Sequence, residues 1–269
     1  MAADTGLRRR PRVMMAVMTS GESVSFEKVA AIYDATRGGL VRGTNFAGTL
    51  APHCGPGPIF EIGIGTGAIA LPLRDQLGRS VLGADLSPAM LAFAHERLGS
   101  NVAIADVLRL PVASGSLGTV VASWILHLVG DPSAALVECR RVLGRSGRLL
   151  VISSRADFTP DAELDPIMVD LHDVLRGRVD VRERLVPLAG EHGFVLAGEE
   201  LTPTTSWAES PADLIERMEK RQWGALIELD NDRFAQHVQP VIDGLATLPD
   251  LDRPRVRSNR HRVFIFAPR

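Results

Sequence analysis

Ile59-Phe60-Glu61-Ile62-Gly63-Ile64-Gly65-Thr66-Gly67-Ala68 is the stretch that decides the fold. An apolar run interrupted by one acid leads into three alternating glycines, and helix-forming residues follow. That order reads as a strand, a tight turn and the start of a helix. Glycine carries no Cβ, so backbone amides there can come close to a ligand. Glu61, at the end of the strand, can accept hydrogen bonds from hydroxyls or an amine. The pattern indicates a nucleotide-like cofactor.

Upstream, Phe26, Val29, Ala30 and Tyr33 fall on one apolar face and predict a helix over 25–36, capped by Ser25 and ended by Gly38-Gly39. A second helix is expected over 40–51, and Cys54-Gly55-Pro56-Gly57-Pro58 breaks the chain before the first strand. Downstream, strands and helices alternate. Strands are expected at 59–62, 80–84, 102–105, 119–124 and 148–153, the last after a turn at Gly144–Gly147. Helices are expected from the glycine turn to Leu77, from Ser87 or Pro88 to Leu98, and from Asp131-Pro132 to Leu143. Ser87 and Asp131 are cap residues, each followed by proline at the first helical position. Repeated β-α-β units with short links predict a parallel sheet covered on both faces. Beyond Ser154 the pattern changes: a mixed stretch at 155–176 with a short helix, a helix over 179–192, a strand over 194–201, two helices within 210–246, and a closing strand over 261–267.

The chain has 269 residues, 45% hydrophobic and 23% charged, with a formal net charge of -2. These are ordinary values for a globular protein and give no electrostatic basis for nucleic-acid binding. Arg253, Arg255, Arg257, Arg260 and Arg262 read as a solvated face or linker rather than a basic patch. Cys54 and Cys139 lack metal-ligand spacing and read as free thiols of a reducing, cytoplasmic compartment. No apolar run approaches the ~20 residues that span a bilayer. Residues 1–20 are expected to be a disordered tail, with Met14, Met15 or Met18 as alternative starts.

In an open parallel sheet, ligands bind at the C-terminal edges of the strands, where strand order reverses. Gly63-x-Gly65-x-Gly67, Asp85, Asp106-x-x-x-Leu110-Pro111 and Ser123-Trp124-Ile125-Leu126-His127…Asp131-Pro132 all fall at such edges. Together they resemble the class I S-adenosylmethionine-dependent methyltransferases, in particular the small-molecule group that includes ubiquinone and menaquinone methyltransferases. The resemblance covers about 26–153 plus the last strands. It implies a Rossmann-like, seven-stranded α/β doubly wound sheet, mostly parallel with an antiparallel last strand, a helical N-terminal lid and a helical cap. It also implies roles. Glu61 and Gly63, Gly65, Thr66 and Gly67 would hold the methionine part of S-adenosylmethionine. Asp85 would accept from both ribose hydroxyls. Asp106 would take the adenine amino group, with the Val107 amide near the ring. Leu86 and Met90 would pack on adenine and ribose, and Ser123 would face the amino-acid end. Tyr33-Asp34-Ala35-Thr36-Arg37 resembles the family's N-terminal segment, which places Tyr33 over the cofactor and Arg37 at its carboxylate.

For His127 two readings stand: a general base, for which imidazole's ordinary pKa of ~6.5 is suited, or a packed histidine without catalytic duty. A phenol or alcohol acceptor benefits from a base, and oxygen is the favoured acceptor atom. The composition, rich in Ala, Arg and Gly, points to a high-GC genome and through it to specialised metabolism.

A nicotinamide-dependent oxidoreductase is the main alternative, because Gly63-x-Gly65-x-x-Ala68 followed by Asp85 also fits a dinucleotide fingerprint. Against it stand Glu61 within the strand and the lack of any Tyr-x-x-x-Lys pair, Tyr33 being the only tyrosine. A non-catalytic cofactor-binding protein is a second alternative. A macromolecular methyltransferase is disfavoured by the near-neutral charge. The expected organisation is one domain over 21–269. Its core comprises about 55–154, 178–202 and 258–269, and its cap about 155–176 and 203–250. Cap residues Phe158, Met168, His172, Trp207, Met218 and Trp223 are candidate walls of the acceptor pocket. A small-molecule acceptor is expected, with no nucleic acid, membrane or metal, and a homodimer is allowed.

Overall fold

The computed structural model describes residues 26–168, 171, 179–222, 226 and 229–269, with backbone alone at 28 and 29. The expected tail, the Ser25 cap, the side chain of Val29, His172 and Trp223 lie outside the described residues.

Strand β1 (Ile59–Ile62) and strand β4 (Leu117–Ser123) are buried at every position, as expected of central parallel strands covered on both faces. They flank the point where strand order reverses. With β2 (Val81–Asp85), β3 (Val102–Ile104), β5 (Leu143–Phe158), β6 (Phe194–Leu201), β7 (Thr205–Glu209) and β8 (Arg255–Pro268), they form an eight-stranded sheet ordered β3-β2-β1-β4-β5-β8-β6. β1 to β5 run parallel, while β8 is antiparallel to both β5 and β6. Register is what builds the site. Ile62 lies level with Ala84 and Ala122, so the next residues on the three strands, Gly63, Asp85 and Ser123, reach one edge together.

Helices α1 (Phe26–Arg37) and α2 (Gly39–Leu50) precede the sheet. Helices α3 (Ala70–Leu77), α4 (Pro88–Leu98) and α5 (Pro132–Val142) are the crossovers. The caps are as the sequence implies. Ser87 Oγ accepts from the Met90 amide at 3.2 Å, and Asp131 Oδ1 accepts from the Ala134 amide at 2.9 Å. One apolar layer joins Phe60, Ile62, Val120 and Phe264 to Leu136 of α5. The other joins Ile59, Val121 and Ile265 to Phe46, Leu73 and Leu91 of α2, α3 and α4. Glu61 shares a strand face with Ile59, by the two-residue alternation, and is buried on that side.

A third apolar cluster stands apart from the sheet. Leu164 and Met168 of the α6 region (Asp165–Met168) pack there with Leu214 and Met218 of α8 (Pro211–Glu219), and with Val241, Ile242 and Leu245 of α10 (Gln239–Ala246). Met218 is core within this layer. Between Asp230 and Ala246 there are two helices, α9 (Asn231–His237) and α10, where one was expected. Pro240 explains the break: it has no N–H to continue the helix, and its ring suits a first turn.

Four further expectations are corrected. The sheet has an eighth strand, β7, which pairs with the first part of β8. β8 begins at Arg255, and with β5 it continues past the sheet edge, where Ala156 pairs His261 and Phe158 pairs Asn259. Arg255 and Arg257 are therefore buried within a strand, not part of a solvated linker. The turn expected at Gly144–Gly147 lies within β5, which pairs already at Leu143 with Leu117 and shifts register before Arg148. Finally, α7 (Arg182–Glu191) starts three residues later than predicted, because Asp180 is drawn into bonds with Ser154.

Candidate functional site

The turn after β1 holds the loop of positive φ that its glycines allow: Gly63 at 64°, Gly65 at 55° and Gly67 at 75°. An added Cβ on Gly63 would strike the Ile125 side chain at 2.7 Å, whereas one on Gly65 would meet nothing within 4 Å. The loop is thus packed from behind and open in front. The Gly65 amide donates to Asp85 Oδ2 at 2.8 Å, and the Ser87 amide donates to Asp85 Oδ1 at 2.9 Å. Each oxygen of Asp85 keeps lone-pair capacity beyond the one bond it receives. Burial pushes the Asp85 carboxyl above its ordinary range, against the opposing pull of the Ser87 and Gly65 amides.

Glu61 is the most strained group electrostatically. It is 3% exposed, and burial pushes its carboxyl up to about 8, with the Ser123 hydroxyl working against the rise and Asp85 adding to it. The Ser123 hydroxyl is near enough to act on the carboxyl, yet Glu61 Oε2 and Ser123 Oγ are both buried with no partner in good hydrogen-bond geometry among the described residues. Buried polar atoms are paired in the great majority of cases, so two orphans beside an open glycine loop mark a place for a ligand's donors.

The lid helix α1 is tied to this loop from above. Thr66 Oγ1 donates to Asp34 Oδ1 at 2.7 Å, Arg97 pairs with the same carboxylate, and Arg97 Nη1 donates to the Thr66 carbonyl at 2.8 Å. The Thr66 side chain therefore anchors the lid. Ser87 Oγ also donates to Glu27 Oε1 of α1 at 2.6 Å. Tyr33 and Arg37 are half-buried on α1, with the Arg37 guanidinium 5.7 Å from the Tyr33 ring centroid. Asp106 is exposed at the end of β3, and its Oδ1 accepts from the Leu108 amide at 2.9 Å. Val107 packs partly against the sheet core. Leu86 is 58% exposed at the edge, but Met90 is 1% exposed and faces the core.

His127 follows β4. Its Nδ1 lies 3.6 Å from Asp180 Oδ2 and has no hydrogen-bond partner among the described residues. Asp180 also accepts from the Ser154 amide at 2.6 Å and from Ser154 Oγ at 2.9 Å. Burial raises the Asp180 carboxyl, yet His127 and Ser154 together outweigh it and hold the group below its ordinary value. It is therefore an anion aimed at an imidazole, an arrangement that fixes which ring nitrogen carries the proton.

Asp34, Arg97 and Asp180 are site-building residues that the sequence reading did not single out. So is the group around Trp124, whose φ is 53°. Arg42 of α2 stacks on Trp124 at 4.3 Å and meets His261 Nε2 at 2.9 Å, while His261 Nδ1 lies 3.1 Å from the Ser153 carbonyl. Arginine only donates, so Nε2 is the acceptor toward Arg42, while Nδ1 lies between the Ser153 carbonyl and the Trp124 indole N–H, which is 3.3 Å away. This group locks α2 over the ends of β4 and β5. The thiols play no part: burial pushes Cys139 up to about 12 and also raises Cys54.

Residues 60–151 match the methyltransferase domain family. Over these residues the chain carries a methyltransferase domain of the S-adenosylmethionine-dependent kind. Over 139 residues it is 33% identical to the malonyl-[acyl-carrier protein] O-methyltransferase of Hahella chejuensis, covering 50% of each chain. Over 138 residues it is 35% identical to the demethylmenaquinone methyltransferase of Thermus thermophilus, covering 47% of this chain and 63% of that one. The chain thus spans about half to under two-thirds of the length of these relatives. A solved structure from Bacillus halodurans C-125 superposes with a TM-score of 0.58 at 15% identity, over 83% of this chain and 97% of that one, which is a likeness of fold. No helix among the described residues is long and apolar enough to cross a membrane.

Proposed function

We propose that this chain binds S-adenosylmethionine at the C-terminal edge of β1, β2 and β3 and transfers its methyl group to a small molecule, with oxygen as the acceptor atom. The observation that carries the reading is the pair of orphaned polar groups, Glu61 and Ser123, beside an open glycine loop that Asp85 braces. The bound donor supplies an already activated sulfonium methyl. Glu61 and Ser123 would hold its amino-acid end, with Arg37 reaching across from the lid. Asp85 would accept from the ribose hydroxyls through the lone pairs its two backbone bonds leave. Asp106 and the Val107 amide would read the adenine edge over Leu86. Met90 supports that wall from the core.

The oxygen acceptor rests on His127 and Asp180. Asp180, ionised and bonded to Ser154, orients Nδ1–H of His127, and Nε2 takes the proton of the acceptor hydroxyl. The 3.6 Å separation is the long, loose geometry that such pairs show before substrate tightens them. Orientation supplies most of the remaining rate. The relatives named above act, by their names, on malonyl-[acyl-carrier protein] and on demethylmenaquinone; for this chain we favour a hydroxylated small molecule of specialised metabolism. The cap of about 155–176 and 203–250, whose described helices are α6, α8, α9 and α10, would line the acceptor side.

Calorimetry tests the cofactor: S-adenosylhomocysteine should bind with micromolar affinity and NADH should not. NADH binding with S-adenosylhomocysteine inert would overturn the reading. Methyl-labelled donor offered with a library of small phenols and alcohols then tests the acceptor.

A further inference from the structure

Four residues of β8 alternate onto one face: Arg255, Arg257, Asn259 and His261. His261 meets Arg42 of α2, and Arg257 lies about 13 Å further along the strand, under the cap. Arg255 and Arg257 are 8% and 7% exposed. Arg255 has a counter-ion, since its Nε donates to Glu163 Oε2 at 2.8 Å. Arg217 pairs with Glu209, and Arg262 with Asp157 and Glu199. Arg257 differs. Among the described residues its contacts are Met168 Sδ, 3.5 Å from Nη1, and the Phe158 ring, whose centroid is 5.3 Å from Cζ. Trp207 stands directly opposite it on β7, packs edge-on against Phe158, and sends its own N–H to Glu209.

A guanidinium has five N–H donors in a fork that matches two oxygens of a carboxylate or a phosphate, and a thioether sulfur is a weak acceptor for one of them. Burying such a cation without a carboxylate opposes folding, and a position that only had to be filled would be better served by an apolar side chain. No described residue supplies that carboxylate, and a bound oxyanion would. We propose that Arg257 is the acceptor-recognition residue, reading an oxyanion (carboxylate or phosphate) on a small molecule whose apolar body lies against Phe158, Trp207 and Met168. This inference rests on the methyl-transfer reading for its biological sense and gives it a substrate class: an acceptor that carries a negative group as well as the atom to be methylated.

The test compares the full chain with Arg257→Met by denaturant unfolding and by calorimetry, both saturated with S-adenosylhomocysteine. The probes are benzoate and phenyl phosphate, with benzyl alcohol as the neutral control. Without anion, Arg257→Met should unfold at the same or a higher denaturant concentration than the parent. Benzoate or phenyl phosphate should stabilise the parent saturably and bind Arg257→Met at least about tenfold more weakly, the loss expected for one charge-assisted pair. Benzyl alcohol should not distinguish the two. The stronger of the two anions identifies carboxylate or phosphate as the natural group. A destabilised Arg257→Met, anion effects equal in both proteins, or no anion effect on the parent would each overturn the proposal. Failure of S-adenosylhomocysteine to bind the parent would instead strike the cofactor reading, and the unfolding series would be read without it.

Discussion

Glu61→Gln isolates the charge at the centre of the site. Burial lifts the Glu61 carboxyl from an ordinary 4.5 to about 8. Between those values the folded chain holds a proton that the unfolded chain has released. Stability from this group is therefore fully present below 4.5 and is lost as pH rises through about 8, by about 1.4 kcal/mol per pH unit over the steep part. From pH 6 to pH 8 the loss comes to about 2 kcal/mol, or about 5 °C in melting temperature for a domain of this size. Glutamine keeps the shape and cannot titrate. Urea unfolding of both proteins at pH 6, 7 and 8 should show the parent losing that amount relative to Glu61→Gln. The Asp85 carboxyl, also raised, titrates in both proteins, so the difference reports Glu61 apart from their mutual repulsion. A cofactor ammonium placed against Glu61 would favour the carboxylate. Binding of S-adenosylhomocysteine below pH 8 should then release up to one proton in the parent and none from this group in the variant, as calorimetry in buffers of different ionisation enthalpy would show. Parallel stability profiles would refute the buried, neutral Glu61. A normal profile with no proton release would place the ligand's amine elsewhere.

Other perturbations probe the rest of the site. Asp85→Ala removes the acceptor for Gly65 and Ser87 and should weaken S-adenosylhomocysteine by about ten- to a hundredfold in calorimetry. His127→Ala should cut turnover by about 10²- to 10⁴-fold with cofactor affinity unchanged; an unaltered rate between pH 6 and pH 9 would leave the imidazole structural. Asp180→Asn should lower turnover with it and remove a stabilisation that the parent loses as pH falls through the depressed Asp180 pKa, which acid titration of the two proteins would compare. Asp34→Ala frees Thr66 and Arg97, should cost about 1–3 kcal/mol, and should speed amide exchange across α1.

The part of the site that could be read in advance is local in sequence. Strand, glycine turn, and an acid at the next strand's end follow each other within about thirty residues, and register alone brings Gly63, Asp85 and Ser123 level. The unread part is built from residues distant along the chain. Asp180 looked like the start of a helix because nothing adjacent shows that Ser154, 26 positions earlier, would claim its carboxylate. Strand β7, five residues between Thr205 and Glu209, has too little alternation to declare itself without β8 beside it.

The arginines of β8 show why hydropathy misled. Arg255 and Arg257 occupy the inward positions while Val256 is 80% exposed, so the alternation is inverted and the segment reads as a solvated linker. Inversion of that kind opposes folding unless the inward charges are matched. Glu163 matches one of them, and the other stands over Phe158 without a carboxylate among the described residues. The same logic runs through Glu61, whose burial makes a neutral acid of a residue that the sequence presents as an anion. At both places the chain holds a group that is costly in the free protein and that a ligand of opposite charge would relieve, one at the cofactor edge and one under the cap. Two such groups are what a donor with an ammonium and an acceptor with an oxyanion would require.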